Sequence, residues 1–207
     1  MMRIITGKAK GIRLKTLEGD ATRPTSERVK EAVFSMIQNE IEGREVLDLL
    51  SGSGQLALEA LSRGAFHAVA IDKALPAIKI ITENAEKTKL ISQCTIVRDE
   101  YMGYIRRNKG RKFDIIFLDP PYASGFYSIA LKALLENDML KPSTIIICES
   151  GVRHFSKRLF YLPYPHTDNV KQWQVSRVHK IFGYYQFDDI LYEYIYLKRK
   201  FEEENKK

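Results

Sequence analysis

The chain has little cysteine, and the little it has is not spaced for disulfides or metal binding. Two cysteines, Cys94 and Cys148, occur among 207 residues, and each lies in or beside an apolar run. Two cysteines are too few for a disulfide framework or a zinc cluster, and such usage is typical of the reducing cytosol. The four histidines also lack the spacing of metal ligands. The composition therefore excludes a disulfide-rich secreted domain, and we expect no metal site.

Long apolar runs are missing as well. No stretch approaches the roughly 18 apolar residues of a membrane-spanning helix, and residues 1–14 carry charges in place of the apolar core of a signal peptide. With 44% hydrophobic and 11% aromatic residues, the chain has the composition of one compact domain, which at this length buries roughly 70% of its unfolded surface. We expect a cytoplasmic protein that does not bind membranes.

Acidic residues are outnumbered, and the imbalance is concentrated at the two ends of the chain. Lys and Arg number 33 against 26 Asp and Glu, which gives a net charge of +7. Residues 1–30 hold eight basic and three acidic side chains, whereas the central residues 46–150 are nearly balanced. This asymmetry is compatible with a polyanionic partner such as nucleic acid. A basic surface that only keeps the protein soluble explains it equally well.

Short apolar segments alternate with helical segments from residue 46 onward. Strands are predicted at 46–50, 67–71, 95–97, 113–118 and 145–148, with helices between them. Apolar strands separated by helices imply a parallel sheet that is covered on both faces. Two long aromatic and β-branched runs, 173–185 and 190–197, predict an antiparallel hairpin at the edge of this sheet. The predicted fold is α/β, with a doubly wound, mostly parallel sheet of seven strands.

The N-terminal residues are predicted to form a small basic hairpin arm around a turn at Gly7–Gly11. Because a two-stranded hairpin alone is not stable in water, it must pack against another part of the protein. Its basic residues are candidates for contact with nucleic-acid phosphates: Arg3, Lys8, Lys10, Arg13 and Lys15. The predicted units are the arm at 1–20, one main domain at 21–200 and a charged tail at 201–207. A second basic stretch, 106–112, is more typical of a solvated loop, and residues 160–172 match no pattern.

The first chemical motif is a glycine turn after the first strand of the main domain, in DLLSGSGQLA at 48–57. Gly52 and Gly54 allow a tight turn and a close approach of the backbone to a ligand, beside the start of a helix. Asp72 follows at the end of the second strand, where a carboxylate can accept hydrogen bonds from ribose hydroxyls. NAD and S-adenosylmethionine both fit this pattern, and a tight turn without a ligand is the third interpretation.

The second motif is Asp119-Pro120-Pro121-Tyr122, at the carboxyl end of the fourth strand, where open α/β sheets bind ligands. An exocyclic amino group of a base is a poor nucleophile because its lone pair is delocalised into the ring. The carboxylate of Asp119 and the carbonyl of Pro120 can accept its two hydrogens and favour a pyramidal nitrogen, whose lone pair then faces the methyl group of a sulfonium donor. The prolines fix the backbone, and Tyr122 offers a flat face for base stacking. An accidental Asp-Pro-Pro turn is the alternative.

The same four residues resemble the signature of amino-methyltransferases that act on adenine N6, cytosine N4 or guanine N2. The wider sequence is similar to the bacterial 16S rRNA (guanine-966-N2)-methyltransferase family at 3–16, 22–34, 47–65 and 117–122. This resemblance covers residues 1 to about 150 well and the final strands more loosely. It implies a Rossmann-like class I fold and methylation of a guanine N2 in small-subunit rRNA. It also implies S-adenosylmethionine as cofactor and S-adenosylhomocysteine as product.

The resemblance assigns roles to two further carboxylates. Asp48, inside the first strand, occupies the acidic position that helps class I methyltransferases to organise the site around the methionine moiety; dehydrogenase strands are usually apolar there. Asp99, at the end of the third strand, occupies the position that binds the adenine amino group, although an ordinary helix cap explains it almost as well. The chain departs from the family pattern at Leu50 and Ser51, where Phe-Ala is common, at Ala57, where Gly is common, and at Asp72, where Glu is commoner.

These observations favour an rRNA guanine-N2 methyltransferase, a monomer that acts on 16S rRNA or on an assembling small subunit. An adenine-N6 methyltransferase on DNA or RNA is the alternative with the same chemistry, and no separate DNA-recognition domain is visible to support a restriction-type enzyme. A noncatalytic RNA-binding or ribosome-assembly protein on a methyltransferase fold is the alternative from another class. An NAD oxidoreductase is disfavoured by Asp48 and by the motif at 119–122.

Overall fold

The chain folds around one parallel sheet. The computed structural model describes residues 2–17, 27–119 and 126–148. The strands are β1 (Glu45–Asp48), β2 (His67–Asp72), β3 (Cys94–Arg98), β4 (Phe113–Leu118) and β5 (Leu140–Cys148). The helices are α1 (Glu27–Met36), α2 (Gln55–Ser62), α3 (Leu75–Lys87), α4 (Tyr101–Arg107) and α5 (Phe126–Glu136). Among the helices of these ranges, none is long and apolar enough to cross a membrane.

The strand order reverses its direction between β1 and β4. The order is β3-β2-β1-β4-β5, and every neighbouring pair is parallel. The chain winds outward from β1 in one direction through β3 and then returns to place β4 on the other side. In open α/β sheets, ligands bind outside the carboxyl ends of the strands at such a reversal. The predicted α/β, Rossmann-like sheet is therefore confirmed.

The sheet has five strands within the described ranges, whereas the sequence predicted seven in the whole chain. The predicted edge hairpin at 173–197, the unassigned residues 160–172 and the tail at 201–207 lie outside those ranges. The boundaries of the predicted units at residues 20 and 200 also lie outside them, so that division stays a prediction.

The last described strand is longer than predicted. β5 begins at Leu140 instead of residue 145 because the register shifts within it: Phe113 pairs with Leu140, but Ile115 pairs with Ile145. Thr144 holds this irregular stretch, since its hydroxyl donates to the Phe113 carbonyl at 2.7 Å and accepts from the Lys141 amide at 2.7 Å. A proline follows Lys141 in the stretch, and a proline is typical of a break in the hydrogen-bond ladder, which hid the start of the strand.

Apolar side chains cover the sheet on both faces. One face packs against α1, α2 and α3, and the other packs against α4 and α5. Neighbouring strand residues alternate between the two cores, so Val46 belongs to the first and Leu47 to the second. The first core also contains Phe34 of α1, whose ring lies 5.6 Å from that of Phe117 in β4. This packing fixes the carboxyl ends of the strands, where the candidate site lies.

The N-terminal residues 2–17 lie along α2 as an antiparallel hairpin. The pairing is shorter than the two predicted strands and is limited to one bridge between Arg3 and Arg13. Ile4 is fully buried in the first core. Gly7 has a φ of +87°, and a Cβ there would lie 1.8 Å from the carbonyl oxygen of Ser62, so only glycine permits this close approach. The tip of the hairpin therefore lies at the end of α2 that is farther from the glycine turn.

Candidate active site

Four carboxylates stand at the carboxyl ends of neighbouring strands. Asp48 and Asp72 are the last residues of β1 and β2, and Asp99 and Asp119 directly follow β3 and β4. Because the strands are parallel and adjacent, all four reach the same edge of the sheet. The topology thus brings together side chains that are spread over 72 residues of sequence.

The glycine turn connects β1 to α2 at this edge. Gly52 and Gly54 have φ values of +53° and +76°, in the left-handed region that favours glycine. A Cβ on Gly54 would approach Ile81 of α3 to 3.0 Å, so this glycine also permits close packing of the turn. A Cβ on Gly52 would meet no described atom within 4 Å. The backbone at Gly52 is therefore open to a ligand.

Asp72 is fixed beside the turn by two backbone amides. One carboxylate oxygen accepts a hydrogen bond from the Gly52 amide at 3.0 Å, and the other accepts from the Ala74 amide at 2.8 Å. Each carboxylate oxygen has a second lone pair that remains available to hydroxyl donors. The geometry suits the predicted contact with ribose.

Asp99 does not cap the helix that follows it. Glu100 is the N-cap of α4, and its carboxylate accepts from the amides of Met102 and Gly103 at 2.9 and 3.2 Å. Asp99 instead accepts from the Glu100 amide at 2.8 Å and forms an ion pair with Arg107. The helix-cap interpretation of Asp99 is therefore wrong, and its carboxylate stays at the sheet edge.

The basic stretch 106–112 is engaged in local contacts. Besides Arg107, Lys112 pairs with Asp138 at 2.6 Å. The Arg111 guanidinium lies 5.1 Å from the centre of the Phe113 ring. The stretch precedes β4, and therefore lies at the opposite end of that strand from Asp119. Arg106 and Arg107 form the last turn of α4, so the loop interpretation is wrong for these two residues and holds only for residues 108–112.

Asp48 is buried without a partner. Its exposed fraction is 1%, and neither carboxylate oxygen has a hydrogen-bond partner within the described part of the chain. Burial raises the pKa of Asp48 to about 7, and the charges of Asp119 and Asp72 add to the rise. The backbone amides of Ala57 and Leu50 oppose it, although neither reaches hydrogen-bond geometry. Natural structures rarely retain such a group unless a ligand completes it.

The match to known proteins covers most of the chain. The family described as conserved hypothetical protein 95 matches residues 2–162. The chain belongs to this family. YlbH of Bacillus subtilis is 37% identical over 150 residues, which cover 72% of this chain and 82% of YlbH. Ribosomal RNA small subunit methyltransferase D of Haemophilus influenzae is 32% identical over 151 residues, which cover 72% and 78% of the two chains.

A solved structure agrees with the family assignment. The structure of yhhF from Escherichia coli superposes with a TM-score of 0.63 at 30% identity, over 70% of this chain and 78% of that chain. The family resemblance that the motifs indicated is thereby confirmed. Of the motif at 119–122, Asp119 is described, whereas Pro120, Pro121 and Tyr122 lie outside the described residues.

Ser51 is a departure from the common family pattern that has a structural role here. Its hydroxyl donates to the Asp48 carbonyl at 2.9 Å and accepts from the Ile71 amide at 2.9 Å. These bonds join the ends of β1 and β2 just before the glycine turn. The sequence showed the unusual residue but not its partners, because Ile71 lies 20 positions away.

Asn84 joins the N-terminal hairpin to the glycine turn, and no sequence pattern indicates this role. Asn84 is fully buried in α3. Its side-chain amide donates to the carbonyls of Lys15 and Ser53 at 3.0 and 2.9 Å and accepts from the Lys15 amide at 2.8 Å. The Ser53 hydroxyl in turn contacts the sulfur of Met2 at 3.2 Å. The turn is thus supported from outside by the N-terminal residues.

The buried carboxyl of Asp48 predicts a pH-dependent stability. Its pKa is about 7 in the folded protein against 3.8 in the unfolded chain. Because the folded pKa is raised, the proton on Asp48 stabilises the folded state. This contribution to the free energy of unfolding is fully present below pH 3.8 and is lost as the pH rises through 7, a change of about 4 kcal/mol. Asp48→Asn removes this pH dependence. We expect the variant to be more stable than the wild type at pH 8 without cofactor, and the two to converge towards pH 4, in urea unfolding. A difference that does not depend on pH would contradict the raised pKa.

Proposed function

We propose that the protein transfers a methyl group from S-adenosylmethionine to the exocyclic N2 amino group of a guanine in 16S rRNA. The proposal places the enzyme in the cytoplasm, as a monomer that acts on rRNA or on an assembling small subunit. The observation that carries it is the convergence of Asp48, Asp72, Asp99 and Asp119 around an open glycine turn at the sheet edge. The name of the Haemophilus influenzae relative supports the class of substrate.

S-adenosylmethionine suits the groups at this edge. The buried carboxyl of Asp48 has no hydrogen-bond partner among the described residues, and the ammonium of the methionine moiety supplies N–H donors. Asp72 would accept from the ribose hydroxyls and Asp99 from the adenine amino group, while the open backbone at Gly52 and the turn at Gly54 leave room for the cofactor to lie close. When bound, the cofactor supplies an electrophilic methyl group on a sulfonium.

Asp119 is the proposed catalytic residue that faces the base. It directly follows β4 and is half-buried, and its charge reaches Asp48, whose pKa it raises. We assign it to accept a hydrogen of the base amino group, with the Pro120 carbonyl accepting the other. Pro121 restricts the backbone, and Tyr122 stacks on the base. The residues act by positioning and electrostatics, because they hold the nitrogen lone pair towards the methyl donor.

The N-terminal hairpin is the proposed contact for RNA phosphates, and its basic residues divide into two groups. Arg3 pairs with Glu27 at 3.5 Å, and Lys15 pairs with Glu83 at 2.5 Å. The three others are exposed and have no acidic partner in the described ranges: Lys8, Lys10 and Arg13. The tip lies about 12 Å from the glycine turn, the length of the eight-residue helix α2. RNA would therefore run along the hairpin while the target base enters the pocket.

Removing the three unpaired charges is expected to weaken RNA binding. In Lys8→Ala/Lys10→Ala/Arg13→Ala, each lost phosphate contact lowers the slope of log K against log salt by roughly 0.7–0.9, so we expect a slope flatter by about 2. The control, Arg106→Ala/Lys109→Ala/Lys112→Ala, removes three charges from the end of α4 and the loop before β4. It is expected to leave the slope within about 0.5 of the wild type. Titrations of an rRNA fragment at several salt concentrations measure both. Equal slopes for the two variants would contradict the assignment to the hairpin.

Identification of the methylated nucleoside tests the proposed function. The protein is incubated with labelled S-adenosylmethionine and undermodified small subunits, naked 16S rRNA or DNA, and the product is digested to nucleosides. N2-methylguanosine supports the proposal, and comparison of the RNA substrates shows which one the enzyme prefers. N6-methyladenine would replace the guanine assignment with the adenine alternative. RNA binding without transfer would favour a noncatalytic assembly protein.

A further inference from the structure

Gln55 carries a buried polar atom that none of the described residues satisfies. It is the first residue of α2, directly after the glycine turn, and its exposed fraction is 6%. Its Oε1 atom has no hydrogen-bond partner among the described residues. Within the described ranges, the only other buried side-chain oxygen or nitrogen atoms without a hydrogen-bond partner are the two carboxylate oxygens of Asp48. All three atoms thus belong to residues that flank the turn at 52–54.

The other buried polar side chains around the turn are satisfied. Ser51 bonds to the ends of two strands, Ser53 contacts Met2, and Asn84 has three bonds to backbone groups. The missing partners of Asp48 and Gln55 are therefore not a general feature of this region. The two residues are also joined by a tight turn, in which the Gly54 amide donates to the Ser51 carbonyl at 2.7 Å. Two unsatisfied acceptors beside one open turn indicate a ligand with several donors.

We propose that Gln55 is a cofactor-binding residue whose Oε1 accepts a hydrogen bond from the α-ammonium group of S-adenosylmethionine, together with Asp48. The inference rests on the proposed function for the identity of the cofactor. An ammonium group has three N–H donors and no acceptor, so it can serve a carboxylate and an amide oxygen at once. No bond is formed or broken, and the contact acts on the amino-acid end of the cofactor only.

The test replaces Gln55 by Met, which keeps the length of the side chain and removes the amide. Two probes are titrated by calorimetry: S-adenosylhomocysteine, and 5′-methylthioadenosine, which has the nucleoside and the sulfur but no amino acid. We expect Gln55→Met to weaken binding of S-adenosylhomocysteine about 10-fold and to leave that of methylthioadenosine within two-fold. The cofactor-free variant is expected to melt at the same temperature or a few degrees higher, because an unsatisfied buried acceptor is removed.

The opposite signs of these effects separate a binding role from a structural one. A residue that only stabilised the turn would lower the melting temperature and weaken both probes. Equal losses for both probes, or no loss for either, would overturn the proposal. Gln38→Met, the same change at an exposed position, is expected to alter neither affinity. If the wild type transfers methyl groups but Gln55→Met binds S-adenosylhomocysteine normally, this inference fails and the proposed function stands.

Discussion

Asp119→Ala is expected to lower the rate of methyl transfer by at least 10²–10³-fold, the usual loss when one preorganised electrostatic contact to the transition state is removed. The carboxylate at the end of β4 is the proposed acceptor for a hydrogen of the base, and without it the nitrogen lone pair stays delocalised. The affinity for S-adenosylhomocysteine is expected to change only a few-fold, since Asp119 is not among the proposed side-chain contacts of the cofactor, which are Asp48, Gln55, Asp72 and Asp99. Single-turnover transfer from labelled S-adenosylmethionine and calorimetric titration measure the two quantities.

Asp138→Ala is a suitable control, because Asp138 is exposed and pairs with Lys112 at the other end of the strands. It is expected to retain the wild-type rate. Asp119→Ala also removes a charge that raises the pKa of Asp48. The midpoint of the pH dependence of cofactor affinity is therefore expected to lie at a lower pH in this variant than in the wild type. Retained turnover would remove Asp119 from the catalytic role. A loss of cofactor affinity as large as the loss in rate would make it a cofactor contact instead.

The sequence predicted those parts of the fold in which local pattern and tertiary structure agree. The strand at 113–118 has the predicted bounds, because a continuous apolar run is a local signal. The strand β5 was predicted too short because the proline that follows Lys141 is a signal against a strand. Only the structure shows how the irregular stretch is held, by the hydrogen bonds of Thr144 to Phe113 and Lys141.

The candidate site was predictable where its residues follow a strand end. Gly52 and Gly54 were predicted from the glycine turn, and Asp72 from its place at a strand end. The structure places all three at one edge of the sheet, and their role in binding a cofactor stays a prediction. The missing partners of Asp48 and Gln55 were not predictable, because the absence of a hydrogen bond is a property of three-dimensional packing. The predicted N-terminal hairpin is present, but only the structure shows where it docks, with its tip at the far end of α2.

The ion pairs of the basic residues were also not predictable from the sequence. From the sequence, five basic residues near the N-terminus were equivalent candidates for RNA contact. The structure pairs Arg3 with Glu27 and Lys15 with Glu83, a residue 68 positions away. Exposed ion pairs of this kind contribute little to stability, but they reduce the charge that a phosphate meets. Sequence patterns show how many charges a segment has, and tertiary contacts decide which of them are free to bind.

Glu59→Gln is expected to destabilise the protein by about 3–5 kcal/mol, the cost of leaving a buried charge without its partner. Glu59 of α2 is fully buried and accepts from the backbone amides of Ile5 and Thr6 at 2.7 and 3.1 Å. It also pairs with Arg63 at 2.8 Å and with the fully buried ammonium of Lys30 at 3.7 Å. One carboxylate thus joins α1, α2 and the N-terminal hairpin. Urea unfolding of the cofactor-free protein measures the loss.

An exposed pair supplies the control for this variant. Glu136 and Lys132 lie one helical turn apart in α5, at 3.8 Å, and both side chains are exposed. Glu136→Gln removes the same charge and is expected to cost at most about 0.5 kcal/mol. A loss of this size for Glu59→Gln as well would show that the buried cluster does not hold the N-terminal hairpin on α2.

The pH dependence identifies the source of the cost. Burial lowers the pKa of Lys30 below 10.5, and the charges of Glu59 and Glu27 oppose this fall. In Glu59→Gln the pKa of Lys30 is expected to fall further, so the folded variant binds fewer protons than the unfolded chain at pH values below 10.5. Its stability therefore rises as the pH increases towards 10.5, and the deficit against the wild type is expected to shrink in the same direction. A constant deficit would assign the cost to the lost bonds of the Ile5 and Thr6 amides.

The double variant Glu59→Gln/Lys30→Met separates these contributions directly. If an unpaired ammonium causes most of the loss, its replacement by an apolar side chain of similar length restores stability, as buried ion pairs often tolerate apolar replacement of both partners. We expect the double variant to be more stable than Glu59→Gln at pH 7 by roughly 1–3 kcal/mol, which is the size of measured coupling energies between contacting residues. The bond from the Lys30 ammonium to the Arg3 carbonyl, at 2.6 Å, is lost in the double variant. Recovery is therefore expected to be incomplete, and a double variant less stable than either single variant would contradict the role of the buried charge.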